Sequence, residues 1–295
     1  MAPSFAIAAR PVDYLAGNWS ATGARVSSSP MGQVSAIGEH LRSWRQRRRM
    51  SQLDLACEAD ISTRHVSFLE TGRARPSRDM VLHLAERLEV PLRDRNVLLV
   101  AAGFAPVFAE RPLDDPALRA ARAAVELVLA AHEPYPAIAV DRHWTLVASN
   151  KASGRVFGEV PPGLAAPPVN VLRTALHPDG LAKRTVNFAD WREHLLAGLR
   201  RQVELTADPV LVALHEELLG YPAPRTIGPR PALNPAAVAI PLRLMVDDSV
   251  LSFLSTITVF GTPVDITLSE LAIETFLPAD HETAEALRCM AAAAT

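Results

Sequence analysis

The stretch from Ser51 to Ser77, SQLDLACEADISTRHVSFLETGRARPS, decides the fold of the first part of this 295-residue chain. Ser51 stands just before a helical pattern in which Asp54 occupies the third position, and this resembles a capping box with Asp in place of Glu. Ser62 is the N-cap candidate of a second helix, and Gly72 ends that helix. The stretch therefore predicts two short helices joined by a tight turn.

Two short helices in tandem follow the helix-turn-helix plan, in which a small residue lies where the backbones approach. Leu53, Ala56 and Cys57 are expected on the inner face of the first helix, and Val66 and Leu69 on that of the second. The outward side chains of the second helix are donors, acceptors and one aromatic ring: Thr63, Arg64, Ser67 and Phe68. Such side chains suit base edges and the sugar–phosphate wall of a DNA groove.

Helical periodicity continues on both sides of this stretch. Apolar residues step along one face before it, at Ile37, Leu41 and Trp44. Two further helices follow it, one after Pro76-Ser77 and one over about 93–102. The sequence therefore predicts an all-α domain of five helices over residues 34–108.

Charge is distributed unevenly along the chain. Nine Arg and six acidic residues lie between Val34 and Met80, so this region carries +3; the whole chain carries −2, and the remainder therefore −5. This asymmetry around a helix-turn-helix pattern favours a polyanionic partner, double-stranded DNA. Taken alone, the five Arg between Arg42 and Arg49 are also typical of a solvated helix end, and Thr63 and Ser67 of an ordinary surface.

The remaining residues have a different organisation. Residues 1–33 are rich in Ser, Gly and Pro, so we expect a disordered tail, and translation starting at Met31 is a second possibility. Residues 109–116 contain two prolines and predict a linker. Residues 117–293 show a strand–helices–strands order, which predicts an α+β domain. Strands are expected at Ala137–Val140, Trp144–Ala148, Ala237–Met245 and Leu251–Phe260, and helices at about 117–132, 188–205, 209–219 and 283–290.

Composition and motifs exclude several classes of protein. Cys57 and Cys289 lie far apart and in no metal-ligand spacing, which argues against a disulfide-stapled secreted protein and a zinc site. The sequence shows no signal peptide and no apolar run long enough to span a bilayer, so we expect a soluble cytoplasmic protein without a membrane partner. No catalytic or nucleotide-binding motif is found, and no cofactor is expected. Glu270, Glu274 and Asp280 indicate an acidic surface rather than acid–base catalysis.

The stretch from Ser51 to Ser77 resembles the DNA-binding domain of XRE-type regulators, which are phage-repressor- and Cro-like proteins. The resemblance covers about Ile37 to Gly103. It implies an ion pair between Glu70 and Arg45 and binding as a dimer to two half-sites about one helical turn apart. It also implies a set of DNA contacts. Gln52 would hold a phosphate, Thr63, Arg64 and Phe68, with Ser67, would read bases, Arg73 and Arg75 would contact phosphates, and Arg78 would approach the minor groove.

The second domain resembles the C-terminal half of MmyB-like regulators. The resemblance is carried by ALHPDG at residues 175–180, NFADWREHLLAGLRRQ at 187–202 and FGTPVDITLSELAIETFLPAD at 260–280. It implies a PAS-like domain whose apolar pocket binds a small lipophilic, fatty-acid-like molecule. The candidate pocket residues are Val140, Val147, Leu172, Leu195, Leu199, Ile257 and Val259, with Arg173 as the partner of a ligand carboxylate. The same apolar residues are equally suited to filling an ordinary core.

These observations favour a dimeric, ligand-responsive transcription regulator that binds DNA sequence-specifically. Two alternatives stay open at this point. One is a metabolite-processing enzyme with an appended DNA-binding domain, supported only by the acidic residues near the C-terminus. The other is a protein-interaction module.

Overall fold

The computed structural model describes the backbone of residues 30–158, 160–224, 240–261, 263 and 265–293, and the side chains from residue 37 onward. These residues form two compact units. The first unit consists of residues up to 112 together with 263–269, and the second consists of residues 113–261 and 270–293. Most of the predicted tail, 1–33, lies outside the described residues. No helix among the described residues is long and apolar enough to cross a membrane.

The first unit contains the five predicted helices. They are α1 (Pro30–Arg47), α2 (Gln52–Glu58), α3 (Thr63–Glu70), α4 (Arg78–Arg87) and α5 (Leu92–Ala101). Their core is built from fully buried residues of every helix, among them Leu41, Leu55, Leu69, Leu84 and Leu98. On α2 the buried residues are Leu55 and Ala56, whereas Leu53 is 59% exposed. The expectation that Leu53 and Cys57 point inward is therefore wrong, because the inner face of α2 is shifted by one residue towards the N-terminus.

The helix caps predicted from the sequence are present. The Ser51 hydroxyl accepts from the Asp54 amide at 3.1 Å, and the Asp54 carboxylate accepts from the Ser51 amide at 2.7 Å. The Ser62 hydroxyl accepts from the His65 amide at 3.1 Å. Gly72 follows α3 with φ = 72°, which a glycine adopts without strain. These local contacts set the ends of α2 and α3 and thereby the length of the turn between them.

A buried ion pair connects α3 to α1. The guanidinium of Arg45 donates to both carboxylate oxygens of Glu70, at 2.6 and 3.0 Å, and to the Met50 carbonyl at 2.6 Å. Gln52 of α2 donates to the same carboxylate at 2.9 Å. Burial opposes ionisation of Glu70, but the hydrogen bonds from Arg45 and Gln52 hold the pKa of this carboxyl below its usual value. The ion pair predicted from the resemblance is therefore present.

The second unit confirms the α+β class. Its strands are β1 (Ala137–Val140), β2 (Leu146–Ser149), β3 (Leu242–Val246), β4 (Ser249–Val259) and β5 (Ala272–Pro278), which form one antiparallel sheet in the order β2-β1-β5-β4-β3. The further helices of the chain are α6 (Arg119–Ala131), α7 (Lys151–Phe157), α8 (Pro162–Ala165), α9 (Val171–Leu176), α10 (Phe188–Thr206), α11 (Pro209–Leu219), α12 (Ile266–Ser269) and α13 (His281–Ala292). All except α12 belong to this unit. The central strand β5 was not predicted from the sequence.

Two apolar clusters cover the two faces of the sheet. On the face that we call the inner face, Phe276 of β5 lies near Phe157 of α7 and Phe253 of β4, with ring centroids 5.0 and 6.5 Å apart. On the opposite face, Ile273 packs with Val125 and Leu129 of α6. A third cluster joins α9, α10 and α11 through buried leucines.

The segment 263–269 contributes a piece to the first unit. The Ile266 amide donates to the Ala109 carbonyl at 2.8 Å. Arg111 donates to the carboxylate of Asp265 at 2.9 Å, and Asp265 is only 1% exposed. Thr267 donates its hydroxyl proton to the Arg111 carbonyl. The residues predicted as a linker, 109–116, are therefore hydrogen-bonded in part.

One carboxyl lies within the sheet. Glu274 in the middle of β5 is 7% exposed, so its predicted place on an acidic surface is wrong. Burial raises the pKa of Glu274 to about 7, and a hydrogen bond with Ser255 opposes part of that rise. The prediction failed because the central strand in which Glu274 lies was not identified.

We expect Arg45→Met to lower the free energy of unfolding of the first unit by about 3–5 kcal/mol, because the Glu70 charge would stay buried without its partner. Arg45→Met combined with Glu70→Leu should recover most of this loss, since no uncompensated charge remains. Urea unfolding followed by circular dichroism measures both changes. A single variant as stable as the native protein would contradict the structural role of the pair.

We expect Glu274 to make stability depend on pH. Because its folded pKa lies above the ordinary value of 4.5, the folded state holds a proton that the unfolded state releases, and stability falls as pH rises from about 4.5 through 7. Relative to Glu274→Gln, the native protein should lose on the order of 2–3 kcal/mol between pH 5 and pH 8. Urea unfolding at both pH values tests this, with the exposed Glu282→Gln as control. A constant difference between native protein and Glu274→Gln would contradict it.

Candidate functional site

The outward face of α3 presents a compact set of polar and aromatic side chains. Thr63 and Arg64 are exposed, and Ser67 and Phe68 are half-buried. The guanidinium of Arg64 lies 5.1 Å from the centroid of the Phe68 ring, and that of Arg73 lies 6.0 Å from it. The ring therefore holds two cations near the helix by cation–π attraction. A guanidinium held in this way still offers its forked donors to a base edge or a phosphate.

The loop after α3 extends this positive surface. Arg73, Arg75 and Arg78 are exposed. The loop geometry is fixed at its start, because the Arg73 and Ala74 amides both donate to the Phe68 carbonyl, at 2.8 and 3.1 Å. The structure thus brings six of the eight predicted DNA-contacting residues together on α3 and the loop next to it, and Arg78 lies at the start of α4.

Gln52 does not lie on α3 or the loop after it, but at the start of α2. Its side-chain amide is half-buried and donates to Glu70, so this amide supports the ion pair of α3. The capping box of Ser51 and Asp54 closes the N-terminus of α2 from within the chain. A phosphate contact by Gln52 stays a prediction. It would use the main-chain N–H or the second side-chain N–H of Gln52, because the side-chain oxygen only accepts hydrogen bonds.

Not all of the five Arg between residues 42 and 49 are available to contact DNA. Arg45 is buried in the ion pair. Arg48 donates to the carbonyls of Leu88 and Glu89, at 2.9 and 2.8 Å, and so fastens α1 to the end of α4. Two of the five Arg between residues 42 and 49 therefore stabilise the fold, a use that their sequence spacing does not reveal.

The predicted ligand-binding residues do not converge on one cavity. Val140 is buried in the inner-face cluster, and Val147 packs on the opposite side with α6. Leu172 and Leu199 belong to the cluster of α9 to α11, and Leu195 lies between that cluster and the sheet. Ile257 and Val259 are exposed, at 55% and 62%.

Arg173 forms an ion pair with Glu217. Its guanidinium donates to the Glu217 carboxylate at 2.7 Å, and Tyr221 donates its hydroxyl proton to the same carboxylate at 2.5 Å. Burial and the contact with Glu217 raise the pKa of Tyr221 to about 12. A ligand carboxylate would have to share Arg173 with Glu217.

The inner face of the sheet contains a polar group that the sequence analysis did not place in a site. The carboxyl of Glu274 lies in a row of side chains formed by Ile138, Glu274 and Ile257, which are direct partners across β1, β5 and β4. In the sequence, this strand is indicated by the run AIETFLP at residues 272–278, because the apolar and β-branched residues around Glu274 are typical of a buried strand. Among the described residues, no group of three or more His, Cys, Asp or Glu is arranged to hold a metal ion.

Comparisons with known proteins agree with this architecture. A family model of the MmyB-like transcription regulator ligand binding domain matches residues 121–290, and a helix-turn-helix domain model matches residues 36–98. No curated protein matches the chain.

Two crystal structures of the clp gene regulator ClgR from Corynebacterium glutamicum are similar in sequence to part of this chain. They are 27% and 25% identical, cover 24% and 35% of this chain and 88% and 95% of their own chains, and have TM-scores of 0.22. A TM-score of 0.22 is too low to show a shared fold.

The two family matches identify a DNA-binding transcription regulator rather than an enzyme. The ligand-binding model alone matches more than half of the sequence. The chain belongs to the MmyB-like transcription regulators, with a helix-turn-helix domain followed by the ligand-binding domain of that family.

Proposed function

We propose that this regulator binds double-stranded DNA as a homodimer, reads its operator through α3, and responds to a small lipophilic ligand bound by the second unit. The observation that carries the DNA-reading part is the placement of Arg64, Phe68 and Arg73. The ring of Phe68 lies near both guanidinium groups. One surface therefore combines the forked donors of Arg64, which suit a base edge, with the guanidinium of Arg73, which suits a phosphate.

Base reading is assigned to Thr63, Arg64, Ser67 and Phe68, which lie on the outward face of α3. Arg64 has the forked donors that suit the O6 and N7 atoms of guanine, and the Phe68 ring edge suits a thymine methyl or the sugar wall. Phosphate contacts are assigned to Gln52, Arg73 and Arg75, and a minor-groove approach to Arg78. These contacts fix the register of α3 without carrying sequence information.

Homodimer formation is supported by an apolar strip on α5. Val97 and Val100 are 45% and 51% exposed and lie three residues apart, hence on the same side of the helix. His40 of α1 and Ala101 line the same shallow groove. A second copy that covers this strip would remove its apolar side chains from water, and binding to two half-sites one turn apart requires such a dimer.

A lipophilic ligand is supported by the second unit. Its antiparallel sheet has one face lined by aromatic and aliphatic side chains, with helices α7, α10 and α13 contributing to the same cluster. We infer that this arrangement corresponds to the PAS-like domain that the resemblance implies. The resemblance implies that the ligand is a fatty-acid-like molecule. The ligand regulates DNA binding only if it binds two conformations of the protein unequally.

Arg64→Ala should relax specificity, whereas Arg75→Ala should weaken binding to every sequence. We expect Arg64→Ala to lose about 1–3 kcal/mol of discrimination at one base pair, and Arg75→Ala to reduce the salt slope of binding by about 1. Gel shifts with a duplex selected from a random library and with its point variants, at several salt concentrations, measure both effects.

The matched control for these variants is Arg119→Ala, which removes an exposed Arg of the second unit and should bind as the native protein does. If the native protein shows no salt-dependent DNA binding, or if Arg64→Ala keeps the full base preference, the assignment of α3 fails.

Val97→Asp together with Val100→Asp should dissociate the homodimer, because each carboxylate would be buried unpaired in the α5 interface. Sedimentation velocity at micromolar concentration should then show a monomer. Leu205→Asp, a change at an exposed apolar residue of the second unit, serves as control and should stay dimeric. A native protein that sediments as a monomer, or a double variant that stays dimeric, would refute this interface.

A further inference from the structure

We propose that Arg42 is a further DNA contact of this regulator and that its guanidinium binds a backbone phosphate next to Gln52. The inference rests on the proposed function, since it takes the first unit to bind DNA. It adds a residue of α1, a helix to which none of the other DNA contacts is assigned.

The position of Arg42 follows from the close approach of α1 to the end of α3. A Cβ atom on Gly38 would lie 2.6 Å from the Glu70 carbonyl oxygen and 2.8 Å from that of Leu69, so the two backbones meet where α1 has no side chain. Residues four apart on a helix are neighbours on its surface. Arg42 therefore lies on the side of α1 that meets the C-terminal end of α3.

A shared carboxylate places Arg42 beside Gln52. The Nε atom of Arg42 lies 3.6 Å from the Oε2 atom of Glu70, and the side-chain amide of Gln52 donates to the same oxygen at 2.9 Å. Two groups with one common neighbour at these distances lie close together. Because a phosphate contact is assigned to Gln52, a phosphate at that place also comes within reach of the Arg42 guanidinium.

The Arg42 guanidinium can bind an anion without leaving a carboxylate unpaired. Its separation of 3.6 Å from Glu70 is too long for a hydrogen bond, and Arg45 already donates to both oxygens of that carboxylate. The side chain of Arg42 is 55% exposed, whereas that of Arg45 is 10% exposed. One carboxylate thus faces two guanidinium groups, and the exposed one carries the excess positive charge to which a phosphate is attracted.

The neighbouring arginines have other contacts. Arg48 donates to two main-chain carbonyls, and the guanidinium of Arg47 lies 4.8 Å from the centroid of the Trp44 ring. Arg45 is buried in its ion pair. Arg42 differs from these three because it combines exposure with a place beside an assigned phosphate contact.

The test measures binding of the full-length protein to two duplexes, one selected from a random library and one of unrelated sequence. Fluorescence anisotropy at several salt concentrations between about 50 and 200 mM gives the affinity and its salt slope. Arg42→Ala removes the guanidinium, and Arg42→Lys keeps a positive charge. The matched control is Arg87→Ala, which removes an exposed Arg of the same unit at the C-terminal end of α4. Urea unfolding verifies that each variant is folded.

We expect Arg42→Ala to weaken binding to both duplexes by the same factor, on the order of tenfold, because a phosphate contact carries no sequence information. Its salt slope should fall by about 1, since one phosphate fewer is neutralised. Arg42→Lys should keep the slope, and Arg87→Ala should bind as the native protein does. The urea midpoint of Arg42→Ala should stay close to the native one, because an exposed ion pair contributes little to stability.

Three other outcomes are distinct. If Arg42→Ala keeps the native affinity and salt slope, or weakens binding to the selected duplex alone, the phosphate contact is overturned and DNA reading by α3 still stands. If Arg42→Ala does not fold, Arg42→Met, which keeps the aliphatic stem, replaces it with the same expected results. If the native protein binds neither duplex in a salt-dependent way, the proposed DNA binding fails and the Arg42 contact fails with it.

Discussion

The buried ion pair between Arg45 and Glu70 is the constraint on which the DNA-reading surface depends. Helix α3 has only eight residues, and a helix of that length is not stable in water by itself. Its last residue is held by two hydrogen bonds from Arg45 of α1 and one from Gln52 of α2. Because a short helix is rigid along its axis, fixing Glu70 also fixes the direction in which Arg64 and Phe68 point.

The first unit was largely predictable because its signals are local. N-caps such as Ser51 and Ser62 act on amides three residues away, and an apolar stripe at helical spacing defines the buried face of each helix. What the sequence did not reveal are contacts between distant positions. Arg48 reaches carbonyls 40 and 41 residues further along the chain, and nothing near it in the sequence distinguishes it from an Arg that faces DNA.

The second unit was predicted less completely, for two physical reasons. The strand β5 is central and covered on both faces, so that Ile273 to Phe276 are all buried, and the alternation that marks a half-exposed strand is missing. In addition, an apolar residue has the same chemical character in a packed core as in a ligand cavity. The predicted pocket residues are consequently spread over three clusters and an exposed strand end, while Glu274, a buried residue of β5, was assigned to the surface.

The hydrogen bonds of Asp265 and Ile266 with Arg111 and Ala109 have a topological consequence. The first unit is discontinuous in sequence, because residues 263–269 belong to it and are preceded and followed by strands β4 and β5 of the second unit. No single cleavage of the chain can therefore yield both units intact. An N-terminal fragment ending at residue 112 would lack the carboxylate that Arg111 binds, and a C-terminal fragment would retain a segment without its hydrogen-bonding partners. Folding of the DNA-binding unit is thus completed only after most of the ligand-binding unit has been synthesised.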